Sequence, residues 1–206
     1  MKRGRHREDL IEKGLQLFAT KGYSATGVLD ITEAAGVPKG SFYNYFQSKE
    51  DFALAVLEQY RSESQQQMTE QLAGVESPLQ RLRLFFEHGR AKTCAEDFSG
   101  GCLAGRLAQE LAGEQPSFRP VLDRVFGCMQ GQVASLLQEA CDRGEIRSGE
   151  NAAELAGFLL SSWQGAATRA KAAGHDEALR VFETMVFERL LPSLAPASSA
   201  TALDAN

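Results

Sequence analysis

GYSATGVLDITEAAGVPKGSFYNYFQSKEDFALAVL, residues 22–57, sets apolar positions at helical spacing between residues that stop and restart a helix. Thr26 reads as the N-cap of a helix over about 26–35, with Val28, Ile31 and Ala35 turned inward. Gly36 breaks that helix. Pro38 suits the first position of the next, whose Phe42 and Phe46 stand four residues apart on one face. Ser48-Lys49-Glu50-Asp51 resembles a capping box with Asp in place of Glu, opening a longer helix through Phe52, Val56, Leu57 and Tyr60. Two short helices crossing at Ala34, Ala35 and Gly36 make the pattern of a helix-turn-helix. Burial of Phe42 and Phe46 leaves Lys39, Gly40, Ser41, Tyr43 and Asn44 near the free N-terminal face of the second helix. A cation, a hydroxyl, an aromatic ring and an amide suit phosphates and base edges. Lys49, opening the following helix, is placed to pair with a phosphate. The plainer alternatives are a packing role for Tyr43 and simple solvation for Lys49.

Charge partition agrees. The chain of 206 residues has a net charge of −5, yet residues 1–50 carry eight Lys/Arg against six Asp/Glu and the remainder 14 against 21. An acidic body repels DNA, so contact falls to the N-terminal segment, where Lys2, Arg3, Arg5 and Arg7 form a short basic arm. Outward from the motif, Leu10, Ile11, Leu15, Leu17 and Phe18 mark a helix that Lys21-Gly22 ends. Downstream, helical blocks are expected at about 78–94, 103–113, 117–143, 151–172 and 176–191, and no run alternates with period two. An all-α chain follows, with a helix-turn-helix domain over 1–48, a helical domain over 49–192 and a disordered tail over 193–206. No stretch is apolar enough for a membrane span and no secretory h-region precedes the motif, so a cytoplasmic protein is expected. Cys94, Cys102, Cys128 and Cys141 lack zinc-ligand spacing and are expected to be reduced thiols; no metal or cofactor is implied.

With these residues in view, the segment from Gly22-Tyr23 to Ser48-Lys49-Glu50 resembles the DNA-binding domain of TetR-family regulators, above all in Gly36-Val37-Pro38-Lys39-Gly40-Ser41-Phe42-Tyr43 and Tyr45-Phe46. The resemblance implies nine helices, three reading DNA and six forming a ligand-responsive dimerisation domain. It also implies DNA-contacting roles for Thr26, Lys39, Ser41, Tyr43 and Lys49. Two positions depart from the commonest pattern: Asn44 stands where histidine is usual, and Leu29 where a polar residue is. The expected partners are a palindromic double-stranded DNA operator, a second copy of the chain and a small-molecule inducer.

In the C-terminal half, Leu155, Phe158, Leu159 and Ser162 form one stripe and Leu179, Phe182, Met185, Val186 and Leu190 another. Two such stripes from each subunit build an intersubunit four-helix bundle; packing within one monomer is the alternative. Between the halves, Ser99-Gly100-Gly101-Cys102 places Cys102 at a helix start, where unpaired N–H groups favour a thiolate, and Arg106 one turn on adds positive charge. A small buried hydrophobe is the plain alternative. Gly101-Cys102-Leu103 with Leu107-Ala108 and Glu110 resembles the sensor domain of regulators that respond to N-ethylmaleimide or acrylate. That likeness implies that Cys102 reacts with electrophiles or oxidants and that Lys171, after Trp163 and Gly165-Ala166, assists. Trp163, Phe85, Phe126 and Met129 are candidates for a pocket wall, with ordinary core as the alternative. A reversible inducer with Cys102 merely lining its pocket is a second reading. A thiol enzyme is disfavoured, because His6, His88 and His175 stand apart from the cysteines in the sequence.

Overall fold

The computed structural model describes residues 2–98 and 101–196, and every regular element among them is helical. The helices are α1 (Lys2–Thr20), α2 (Val28–Ala34), α3 (Lys39–Phe42), α4 (Lys49–Gln71), α5 (Pro78–Ala95), α6 (Leu103–Leu111), α7 (Arg119–Asp142), α8 (Ala152–Ala173) and α9 (Glu177–Thr184). A single 3-10 turn, Pro116–Phe118, leads into α7. The last helix widens into a π turn over Met185–Leu190 and closes with Leu191–Ser193. None of these helices is long and apolar enough to cross a membrane.

The ends fall where side chains satisfy orphan backbone groups. Ser48 Oγ accepts the Asp51 N–H at 3.0 Å, and the Asp51 carboxylate accepts the Gln47 N–H at 2.9 Å, a capping box displaced by one residue. Ser77 accepts from Gln80 N–H at 3.1 Å to open α5, and Asn151 from Glu154 N–H at 3.2 Å to open α8. Gly174, at φ +70°, ends α8 in the left-handed conformation that glycine favours.

Four expectations change. The basic arm is not an arm: α1 begins at Lys2, so residues 2–7 extend the first helix, and the Arg7 guanidinium lies 5.5 Å from the centre of the Phe46 ring. Thr26 is not an N-cap. It is fully buried and its hydroxyl donates to the Gly22 carbonyl at 2.7 Å, while Gly27 caps α2 with its N–H given to the Asp30 carboxylate at 2.6 Å. The expected tail is held at its start: Ser193 ends the last turn and the Leu194 carbonyl accepts the Arg147 N–H at 2.8 Å. Its remainder, from 197, lies outside the described residues.

The fourth change concerns the domain boundary. One core joins Leu10, Phe18, Ile31, Phe42 and Phe52 of the N-terminal helices to Leu103, Leu107 and Leu111 of α6, Phe118, and Val121 and Val125 of α7. No break occurs at residue 48, because Phe18, Phe42 and Phe46 all pack their rings on Phe52 of α4. A second core gathers the end of α4, α5, the later half of α7, α8 and α9 around Phe86, Trp163 and Phe182.

Candidate DNA interface and thiol site

α2 and α3 meet across a turn in which Gly36, at φ +65°, gives its N–H to Glu33 O and Val37 gives its N–H to Thr32 O at 3.0 Å. Val37 and Phe42 are buried, so the outer face of α3 is fixed. On that face Lys39, Gly40, Tyr43 and Asn44 are exposed and Ser41 half-buried. The helix itself spans only Lys39–Phe42, and Asn44 and Tyr45 continue it as turns bonded to Ser41 O and Phe42 O. Tyr43 rests edge-on against Phe42, which leaves its hydroxyl outward. Thr26 is withdrawn from this surface: it has no exposed area to offer a phosphate, and its hydroxyl is already used.

Lys49 is half-buried. Its ammonium lies 4.1 Å from the centre of the Tyr23 ring. Burial pushes its pKa down, while Glu110 and Asp30 pull it back up. Tyr23 in turn packs on Phe18 at 5.8 Å and on Phe118 at 5.6 Å, so the lysine that opens α4 rests on a ring of the head that itself packs against the body.

Cys102 is the N-cap of α6, as the glycines before it imply. Its Sγ accepts the Gly105 N–H at 3.4 Å and the Tyr60 hydroxyl at 3.6 Å. Burial, and the sulfur beside it, push the Tyr60 phenol well above its ordinary value, so it stays a donor. Nothing local in the sequence marks Tyr60, 42 residues away, as this partner. At Gly105 α8 comes close to α6: a Cβ there would stand 2.8 Å from Gln164 Oε1, the movable end of a side chain. Cys94, Cys128 and Cys141 are also free thiols, and burial with Asp142 and Glu150 nearby pushes Cys141 up, away from the thiolate.

Arg106 does not serve Cys102. It reaches the other way, donating from Nη1 to the carbonyls of Ala19 at 2.8 Å and Thr20 at 2.9 Å, and from Nε to Glu110 at 3.3 Å. Those carbonyls end α1, where a cation also meets the negative end of the helix dipole. Glu110 accepts the Ser24 N–H at 3.1 Å, and a Cβ on Gly22 would collide with its carboxylate. Gly22 therefore owes its place both to φ +85° and to this approach. Lys171, on the last turn of α8, has its pKa lowered by partial burial and by Arg106, with Glu110 opposing.

Trp163 is not a pocket wall. Its ring packs 5.2 Å from Phe86 and 5.3 Å from Phe182 in the second core, close against Gly89. Phe85 joins that core, Met129 packs on the first, and Phe126 lines a shallow depression between α6 and α7. The large opening lies elsewhere, a groove of about 700 Å³ between α8 and α9 walled by Phe158, Ser162, Ala166, Val181 and Met185. Of the two expected stripes, Leu159, Leu179, Phe182 and Val186 are buried within the chain, while Phe158 and Met185 remain outward, joined there by Val181, which neither stripe included. No group of three or more His, Cys, Asp or Glu among the described residues is arranged to hold a metal.

A helix-turn-helix with an outward recognition face, joined through one core to an α-helical body, defines a DNA-binding regulator rather than an enzyme. The family described as bacterial regulatory proteins, tetR family, matches residues 10–56, and the tetracyclin repressor-like C-terminal domain matches residues 78–186. The chain belongs to the TetR family. It is 40% identical over 91% of its length to the HTH-type transcriptional repressor DhaR of Mycobacterium sp. (strain GP1), covering 93% of that protein. It is 32% identical to the repressor NemR of Escherichia coli (strain K12), over 80% of this chain and 83% of NemR. Among solved structures, a regulatory protein TetR from Rhodobacter sphaeroides aligns with TM-score 0.81 at 38% identity, over 88% of this chain and 96% of that one. The reduced form of E. coli NemR aligns with TM-score 0.79 at 27% identity, over 95% and 99%.

Proposed function

We propose that the chain is a repressor that holds a two-fold DNA operator as a homodimer and releases it when an electrophile or oxidant modifies Cys102. One observation carries the reading. The nine-residue α6 has a thiol at its N-cap, and its Arg106 and Glu110 grip the end of α1 and the turn into α2. Chemistry at the first turn thus acts on a helix that holds the reading head.

Conjugate addition to an α,β-unsaturated carbonyl forms an S–C bond at the β-carbon. The alkene pair moves onto the carbonyl as an enolate, which takes a proton from water. Peroxide instead places oxygen on sulfur as hydroxide leaves, giving a sulfenic acid. A neutral Lys171 amine condenses with that acid to an S–N bond and water, the assisting part the resemblance gives it. Either product crowds the sulfur that accepts from Gly105 and Tyr60, and α6 must move. A hundredfold loss of operator affinity needs about 2.7 kcal/mol of differential free energy. The Arg106 clamp, partly exposed and worth about 2 kcal/mol, supplies most of that.

Lys39, Gly40, Ser41, Tyr43, Asn44 and Lys49 make the DNA contacts in this reading. The outward Phe158, Val181 and Met185 are covered by the same face of a second copy, which sets two heads for half-sites about one helical turn apart. The test uses a duplex selected from a randomised pool by the purified protein, titrated with N-ethylmaleimide. The wild type is expected to release it, and Cys102→Ala to bind it normally and keep it. Full release from Cys102→Ala sinks the covalent reading and favours a reversible inducer; failure to recover any duplex sinks DNA binding itself.

A further inference from the structure

Among the described residues, five large apolar side chains are exposed: Leu29, Tyr43, Phe158, Val181 and Met185. The last three wall the α8–α9 groove. The other two both lie on the helix-turn-helix, and Tyr43 carries a hydroxyl that can answer a polar partner. Leu29, 52% exposed, carries none. On α2 it points opposite to Ile31, which is fully buried, so it faces straight out of the head. Its polar neighbours are already engaged. The Asp30 carboxylate holds the Gly27 N–H, and the Thr32 hydroxyl returns to the carbonyls of Val28 and Leu29. Beside Leu29 the first turn of α2 therefore holds only a carboxylate, an anion already bonded through one oxygen, and its outward contribution is the two methyl groups of Leu29.

In the major groove the one apolar feature that distinguishes a base pair is the C5-methyl of thymine. We propose that Leu29 is a specificity-determining residue that packs on a thymine methyl in each half-site, adding to what α3 reads. The inference rests on the helix-turn-helix as the DNA-binding surface and is independent of any chemistry at Cys102.

Deoxyuridine removes that methyl and nothing else. Duplexes selected from a randomised pool by the full-length protein are resynthesised with each thymine replaced in turn, and their affinities compared for the wild type and Leu29→Ala. For the wild type, one thymine per half-site is expected to bind about fourfold more weakly as deoxyuridine, the effect of removing one buried methyl group. Leu29→Ala is expected to bind both forms of that duplex equally while keeping wild-type sensitivity elsewhere; the side chain is exposed, so its thermal melting is expected to stay unchanged. Methyl dependence that persists in Leu29→Ala assigns the contact to another residue and overturns the proposal. A uniform loss on every duplex, or no methyl dependence in the wild type, overturns it too. Failure to select any duplex strikes instead at DNA binding.

Discussion

Replacing Arg106 by alanine removes the clamp between the thiol helix and the reading head while leaving Cys102 and its two donors in place. Three interactions go: the bonds to Ala19 O at 2.8 Å and Thr20 O at 2.9 Å, and the ion pair with Glu110 at 3.3 Å. A hydrogen bond from a charged donor is worth about 1.5–3 kcal/mol where it is buried. Here the arginine side chain is a quarter exposed and water can replace it at Thr20, so the ion pair adds little and the whole clamp comes to about 2 kcal/mol. For a chain of this size that lowers Tm by about 4–8 °C. The Ser24 amide, held by Glu110, should exchange faster with solvent, and amides of the second core should not. In the switch, Arg106→Ala is expected to react with N-ethylmaleimide at Cys102 at the wild-type rate yet release less of its operator per adduct. Calorimetry, hydrogen exchange by mass spectrometry and fluorescence anisotropy with peptide mapping read these outcomes. A variant with wild-type Tm and wild-type release per adduct would refute the view that α6 works through this clamp.

Gly14→Ala puts a Cβ 2.8 Å from Val56 Cγ2 and into the Phe52 ring, so a loss of about 1–3 kcal/mol is expected in urea denaturation. Met185→Glu places a charge on the outward face just past α9 and is expected to turn the proposed dimer into a monomer by light scattering, with helicity by circular dichroism unchanged. Lys49→Ala should make the slope of log affinity against log salt shallower by about 0.9 for each phosphate that the lysine neutralises; an unchanged slope would mean that Lys49 only braces Tyr23. Glu58 is held below the usual carboxylate range by Arg124 and Arg61, so it binds protons less readily folded than unfolded. Its contribution is complete above the unfolded glutamate pKa and is lost as pH falls through the folded one. Glu58→Gln should therefore flatten the acid limb of stability against pH, by a small amount because the pair is exposed.

The helix order was open to reading because local chemistry marks it: Ser48, Ser77 and Gly174 stand where caps are needed, and Gly101 before Cys102 announces a helix start. Thr26 misled because a threonine before an apolar run serves equally as an N-cap or as a plug whose hydroxyl returns to the preceding turn. Arg106 lies one turn from Cys102 in sequence, yet its partners lie 86 and 87 residues away, and no periodicity encodes that choice. Tyr60 was visible only as one apolar position of α4, since its hydroxyl finds its sulfur through packing between helices. Trp163 illustrates the converse: at helical spacing a large ring is equally at home in a core or around a ligand, and Phe86 and Phe182 place it in the core.

The unbroken core across residue 48 bears on how such regulators exchange their parts. A head grafted at that point onto a foreign body would leave Phe18, Phe42 and Phe46 without Phe52, and Tyr23 without Phe118. Chimeras meant to rewire a sensor to a new promoter must therefore carry the first half of α4 and match the inner faces of α6 and early α7. Exposed positions of the head such as Leu29, Tyr43 and Asn44, by contrast, can be exchanged without disturbing that shared core.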